Sequence, residues 1–148
     1  MIEAIIKKLR QARLNGKPLF GKVEEAIDLP LAMKAKIKPS PVAYVVEISR
    51  RPGKNVRDMG SPMQNVKTEI GIVIGISKTN DPQGTKAKAA VMPILTKTRE
   101  TLFGFIPVDG CTHLLLGAAD PIGVTNDALW QLERFSTEKL EVAPNVAS

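Results

Sequence analysis

The sequence predicts an α+β domain: one mostly antiparallel sheet of about four to five strands, with two helices packed on one face. Three observations predict it. Residues 64–77 alternate with period two, placing Val66, Ile70, Ile72, Ile74 and Ile76 on one side and Lys67, Glu69, Gly71, Val73 and Gly75 on the other. Two other stretches, 2–13 and the one between Asp81-Pro82 and Gly104, carry apolar residues at helical spacing. The strand-like segments are joined mainly by turn-forming residues, which favours hairpins and antiparallel order.

The elements follow in order α, β, β, β, α, β, β. In 2–13, Ile2, Ile5, Ile6 and Leu9 form the apolar stripe, Lys7, Lys8 and Arg10 lie opposite, and Asn15-Gly16 is read as the stop, since both residues tolerate positive φ. A short strand spans 19–28, Pro30 breaks it, and 31–38 can form one helical turn. Pro39-Ser40-Pro41 forces an extended lead into the strand 42–50. Residues 51–63 hold Pro52, Gly53, Gly60 and Pro62 and read as a long, mobile hairpin loop. The second helix has Asp81 as N-cap and Pro82 in its first turn, with Ala87, Ala90, Val91, Ile94, Leu95, Thr98 and Leu102 as its buried stripe. Pro93 inside it predicts a kink or a split. A strand at 112–119 ends in a turn at Asp120-Pro121-Ile122-Gly123. In the last strand, 124–136, Ala128, Trp130 and Leu132 keep register and Phe135 does not, which predicts a bulge near Glu133-Arg134. Residues 1–142 read as a single domain and 143–148 as a disordered tail.

The 148 residues suffice to bury a core without disulfide or metal. The single cysteine, Cys111, excludes an internal disulfide and suits a reducing compartment. The N-terminus has no signal-peptide pattern and no apolar run is long enough to span a bilayer, so the expectation is a protein made in the cytoplasm with no membrane partner. Aromatic residues are only 4% of the chain, too few for a base-stacking surface. The formal net charge of +6 is uneven, with 12 Lys/Arg against 5 Asp/Glu in residues 1–54 and 2 against 6 in 101–148. Charges can mix in three dimensions, or can form opposite patches that let copies bind head to tail.

No active site assembles from the residue types present, and no cofactor or metal is expected. Four Cys/His ligands are needed for a structural zinc site, and the chain has one histidine, His113, and Cys111. His113 reads as a sheet-edge or surface residue. Gly71-Ile72-Val73-Ile74-Gly75 lacks the Lys-Ser/Thr ending of a phosphate loop and the third glycine of a dinucleotide loop. Its glycines alternate along a strand and imply close approach of another group. Glu24 and Glu25, adjacent on a strand, point to opposite faces. The most specific polar feature is the basic group Arg50, Arg51, Lys54 and Arg57. It is either a solvated hairpin tip or a contact with a polyanion or an acidic neighbour; no base-reading motif accompanies it.

Several pieces in order carry a resemblance: the helix Met1–Arg13, the strand 23–29, Pro41-Val42-Ala43-Tyr44-Val45-Val46 before a polar loop, and Ile74-Gly75-Ile76-Ser77 before Asn80-Asp81-Pro82-Gln83-Gly84 and a helix. That helix closes on Leu102-Phe103-Gly104-Phe105-Ile106-Pro107, and Trp130 and Phe135 end the pattern. Over residues 1–142 the chain resembles the tail terminator, or tail completion, proteins of long-tailed bacteriophages, with Phe105 standing where a tryptophan is expected. The resemblance implies a structural virion protein, not an enzyme, assembled in the bacterial host cytoplasm. It implies a homo-oligomeric ring, a hexamer, on the head-proximal end of the tail, in contact with the major tail tube protein and the head–tail connector protein. Genomic DNA passes through the lumen of such a ring without sequence specificity. The alternatives are another neck or tail subunit, a head–tail joining or tube protein, and a sequence-nonspecific DNA-binding module.

Overall fold

The computed structural model describes residues 1–34, 37–38, 40–78, 83, 85–125 and 127–144. The elements run α1 (Ile2–Gln11), β1 (Arg13–Leu14), β2 (Lys17–Pro18), β3 (Lys22–Glu25), α2 (Leu29–Lys34), β4 (Val42–Asn55), β5 (Met63–Ser77), α3 (Thr85–Leu102), β6 (Leu115–Val124) and β7 (Ala128–Val142). The main sheet has the order β3-β4-β5-β7-β6. Only β3 and β4 run parallel; every other neighbour pair is antiparallel. The predicted α+β class and mostly antiparallel sheet are what the chain adopts.

The period-two strand sets the layers. On the even face of β5, Ile70, Ile72, Ile74 and Ile76 pack with Ile5 and Leu9 of α1 and with Ala87, Val91, Ile94, Leu95 and Leu102 of α3. The two expected helices therefore share one face. On the odd face, Val73 joins Tyr44, Val46, Trp130 and Leu132 in a second core. Those apolar side chains need their own cover, and α2 with Ile37 supplies it: Ala32 is fully buried there, and Leu29 and Met33 pack against it. Asp28 Oδ1 accepts the Leu31 N–H at 2.9 Å and opens this short helix. The sheet is thus covered on both faces, which a hairpin-only reading does not foresee.

Several sequence expectations need correction. Helix α1 stops at Gln11, and Asn15 (φ 53°) and Gly16 (φ 78°) form instead the two-residue turn of the β1–β2 hairpin. The strand expected at 19–28 shrinks to Lys22–Glu25, because Leu19 and Phe20 are drawn into the core instead. The loop expected at 51–63 narrows to 56–62. Strand β4 runs on through Pro52 and Gly53, and β3 ends opposite Val45, so this part of β4 is an edge, where a proline is tolerated. Pro93 does not split α3, which is one 18-residue helix with Ala87, Val91, Ile94, Leu95, Thr98 and Leu102 buried; Ala90 is exposed. The stretch 120–123 is part of β6 rather than a turn. No bulge interrupts β7 against β5, where pairing is continuous from Ser77↔Ala128 to Met63↔Val142; the register shifts lie on β6, between Leu116 and Ala119 and between Pro121 and Gly123. Phe135 leaves the Trp130 face because it belongs to the opposite core. The Asp81-Pro82 cap, part of the 31–38 turn, Pro39 and residues 145–148 lie outside the described residues.

Candidate assembly surfaces

Strands β5 and β7, of 15 residues each, span about 50 Å at ~3.4 Å per residue. Their far ends, with the end of β4, form a three-stranded wing. Arg50, Arg51 and Lys54 are exposed along β4, and Arg57 is half-buried at the tip. The four do not converge on one point. Arg50 faces α1, opposite Thr68, whereas Arg51 pairs with Lys67 on the other face. Arg50 Nη2 donates to Glu47 Oε1 at 2.8 Å. Arg57 donates to the Ser61 carbonyl at 3.4 Å and reaches the Met63 sulfur at 3.8 Å. The tip is closed at its base, since Asn55 Oδ1 accepts the N–H groups of Arg57 (3.1 Å) and Met63 (2.9 Å) and Val56 N–H donates to the Met63 carbonyl. The Ala143 N–H donates to the Pro62 carbonyl, binding the end of β7 to the same tip. Val56, Met59, Leu140 and Val142 stand exposed around it. Below the wing, on the α1 side, a cavity of about 450 Å³ is lined by Met1, Arg50, Thr68, Val108, Cys111 and Lys139.

The sheet has two unlike free edges. β3 has four residues, and there the Lys22 ammonium sits above its ordinary value: desolvation acts to lower it, and Tyr44 and Glu24 beside it outweigh that. β6 has ten, and Leu115, Leu116 and Val124 on it are all about half or more exposed. Its two register shifts and Pro121 interrupt the row of edge hydrogen bonds, as edge strands commonly do. Arg134 of β7 anchors it from the sheet side, ion-paired with Asp120 and, at 3.8 Å, with Glu69.

The residues once open to a catalytic reading have structural partners. His113 is exposed and its Nδ1 donates to the Gly104 carbonyl at 2.5 Å, tying the end of α3 to the lead into β6. Cys111 is buried, and its backbone forms an isolated antiparallel β-bridge with that of Lys139. At Gly75 a Cβ would lie 2.5 Å from Trp130 Cζ3, and at Gly71 one would lie 2.8 Å from Ile48 Cδ1, so both glycines mark close approach. Sequence reasoning missed the ion pair of the partly exposed Arg99 (α3) with the buried Glu133 (β7). Its two hydrogen bonds, 2.7 and 3.2 Å, join residues 34 apart that no local pattern connects. Among the described residues no group of three or more His, Cys, Asp or Glu could hold a metal, and no helix is long and apolar enough to cross a membrane.

A family model described as phage tail terminator protein matches residues 2–142. No curated protein matches the chain.

Proposed function

The chain belongs to the phage tail terminator family, and from that premise we propose that it closes into a ring on the head-proximal end of the tail tube, ends tube polymerisation and offers the surface for head joining. As a member it is a structural phage tail protein, located in the tail of the virion and acting with other tail and head components. The observation that carries the ring is the pair of dissimilar edges, a four-residue β3 on one side and a ten-residue β6 bearing exposed Leu115, Leu116 and Val124 on the other. Contacts between unlike surfaces repeat head to tail and close when the rotation closes. Six copies are what the family resemblance implies.

The wing is the part we assign to the tube protein or to the neighbouring subunit, through Arg50, Arg51, Lys54 and Arg57 and the exposed Val56 and Met59. The opposite surface of the ring receives the head connector, and genomic DNA passes through the lumen. Native mass spectrometry, with and without tail tubes, and electron microscopy of tails made without the gene test this reading. The expected results are a six-fold species, alone or on tubes, and over-long tails. A protein that stays monomeric in the presence of tubes, with normal-length tails in its absence, would overturn the capping role. Normal tails lacking heads would instead identify a head-joining subunit.

A further inference from the structure

We propose that the outer surface of the helical layer binds the phosphodiester backbone of nucleic acid, centred on the groove between the C-terminal end of α1 and the C-terminal half of α3. The proposal concerns a different surface from the wing and does not depend on ring closure.

The fold sorts charge by layer rather than by position along the chain. Residues 1–17, α1 with the β1–β2 hairpin, hold five Lys/Arg and one acid, Glu3; residues 85–102, which are α3, hold four and one, Glu100. That is +7 on the helical layer of a chain whose net charge is +6, so the remainder sums to −1. Both helices bury their apolar stripes against the sheet, which turns Lys7, Lys86 and Lys88 outward. Three of the nine cations have partners within the protein: Arg99 is bound to Glu133, Arg10 to the Val23 carbonyl at 2.8 and 3.1 Å, and Arg13 Nη1 to the carbonyls of Arg10 and Ala12 at 3.0 and 3.1 Å. Three converge: Lys8, Arg13 and Lys97 line an open groove of about 350 Å³ with Gln11, Glu100 and Thr101. Glu100 is the one acid in that lining, and it lies 3.9 Å from Lys97.

The occupant follows from the charge that is missing elsewhere. The other part of the chain has 12 cationic and 13 acidic residues. Many are paired locally, as in Lys22–Glu24, Arg134–Asp120 and Lys139–Glu141. The remainder of a second copy is therefore close to neutral overall and offers little net charge to match the helical layer. A nucleic-acid duplex offers it, with one negative charge per about 1.7 Å of axis. No aromatic residue is among those lining the groove, and Phe105, half-buried beneath Lys8, has its ring centre 5.4 Å from that ammonium. The groove thus offers cations and no stacking platform, which fits a contact to backbone that is blind to sequence.

The test is fluorescence anisotropy of purified protein with a labelled duplex DNA of about 20 bp between ~50 and ~200 mM salt. We expect binding that weakens steeply with salt, and for Lys8→Glu/Arg13→Glu/Lys97→Glu a loss of about tenfold or more with a log–log slope shallower by about 2.7, from ~0.9 per phosphate contact. Arg51→Glu/Lys54→Glu/Arg57→Glu, on the wing, should bind within about twofold of the parent. Absence of binding at the lowest salt, or a loss confined to the wing variant, overturns the proposal. So does polyglutamate bound as tightly as DNA with the same dependence on the groove, which would make an acidic protein the occupant. Should the charge-reversed groove variant fail to fold by circular dichroism, the neutral Lys8→Gln/Arg13→Gln/Lys97→Gln variant gives the slope, and an unchanged slope overturns the proposal equally.

Discussion

Adding one methyl group at Gly75 should unlock the core that α2 covers. An ideal Cβ there would stand 2.5 Å from Trp130 Cζ3, 2.6 Å from Ile37 Cδ1 and 2.8 Å from Trp130 Cε3. Carbon atoms pack comfortably at about 3.5–4.0 Å, so the indole must retreat by about 1 Å. It has little room to do so. Trp130 is 1% exposed and sits directly opposite Gly75 in the β5–β7 register, with Tyr44, Val73 and Leu132 in the same cluster. Overpacking of this kind costs about 1–3 kcal/mol. Alanine in place of glycine in a strand otherwise gains about 0.5–1 kcal/mol. The net expectation for Gly75→Ala lies within a loss of about 0–2.5 kcal/mol and is centred near ~1 kcal/mol, or roughly 2–4 °C in Tm for a chain of this size. Urea unfolding followed by tryptophan emission is the natural assay, because Trp130 is the only tryptophan. The emission of the folded state should also move as α2 is displaced. Gly53→Ala, on the exposed wing, has its nearest contact at 3.2 Å from the Asn65 carbonyl oxygen and should change stability by no more than about 0.5 kcal/mol. A Gly75→Ala protein as stable as the parent, with unchanged emission, would refute the close-approach reasoning for the β5 glycines.

The Arg99–Glu133 pair should respond asymmetrically. Arg99→Ala strands a carboxylate whose side chain is 3% exposed and should cost about 2–3 kcal/mol, whereas Glu133→Gln leaves an arginine that is 36% exposed and should cost about 1 kcal/mol, both read by urea unfolding. His113→Ala removes the bond to the Gly104 carbonyl and should cost about 1 kcal/mol in the same assay while leaving tail capping intact; loss of capping without loss of stability would argue for a direct role. Leu115→Glu/Leu116→Glu alters two exposed residues of β6 and should leave monomer stability within about 0.5 kcal/mol while abolishing self-association in sedimentation velocity. Retained association would remove β6 from the ring interface.

What the sequence showed and what it hid divide along one line, whether an element answers to one neighbour or to several. The alternation of Ile70, Ile72, Ile74 and Ile76 and the stripes of α1 and α3 were legible because each element buries a side whose period is written in its own residues. Val42–Val46, by contrast, is five apolar residues in a row, all buried, with Ala43 and Val45 in one core and Val42, Tyr44 and Val46 in the other. That unbroken run was the available signal that the sheet is covered on both faces, and with it Phe135 would have needed no bulge. Pro52-Gly53 and Asp120-Pro121-Ile122-Gly123 read as breakers because proline cannot donate to a ladder and glycine favours turns. Both stretches lie in edge strands, where a missing donor or a register shift costs little, and edge status is a property of the whole sheet order. The candidate surfaces were hidden for the same reason. The group 50–57 is contiguous in sequence and so was visible, yet its members spread over two faces of the wing. Lys97 lies 84 residues after Arg13 in the chain, and only the packing of both helices against β5 brings it to one groove with Lys8 and Arg13. A charge count taken along the chain therefore splits it into basic and acidic ends, while the folded molecule is divided into a basic helical layer and a nearly neutral remainder.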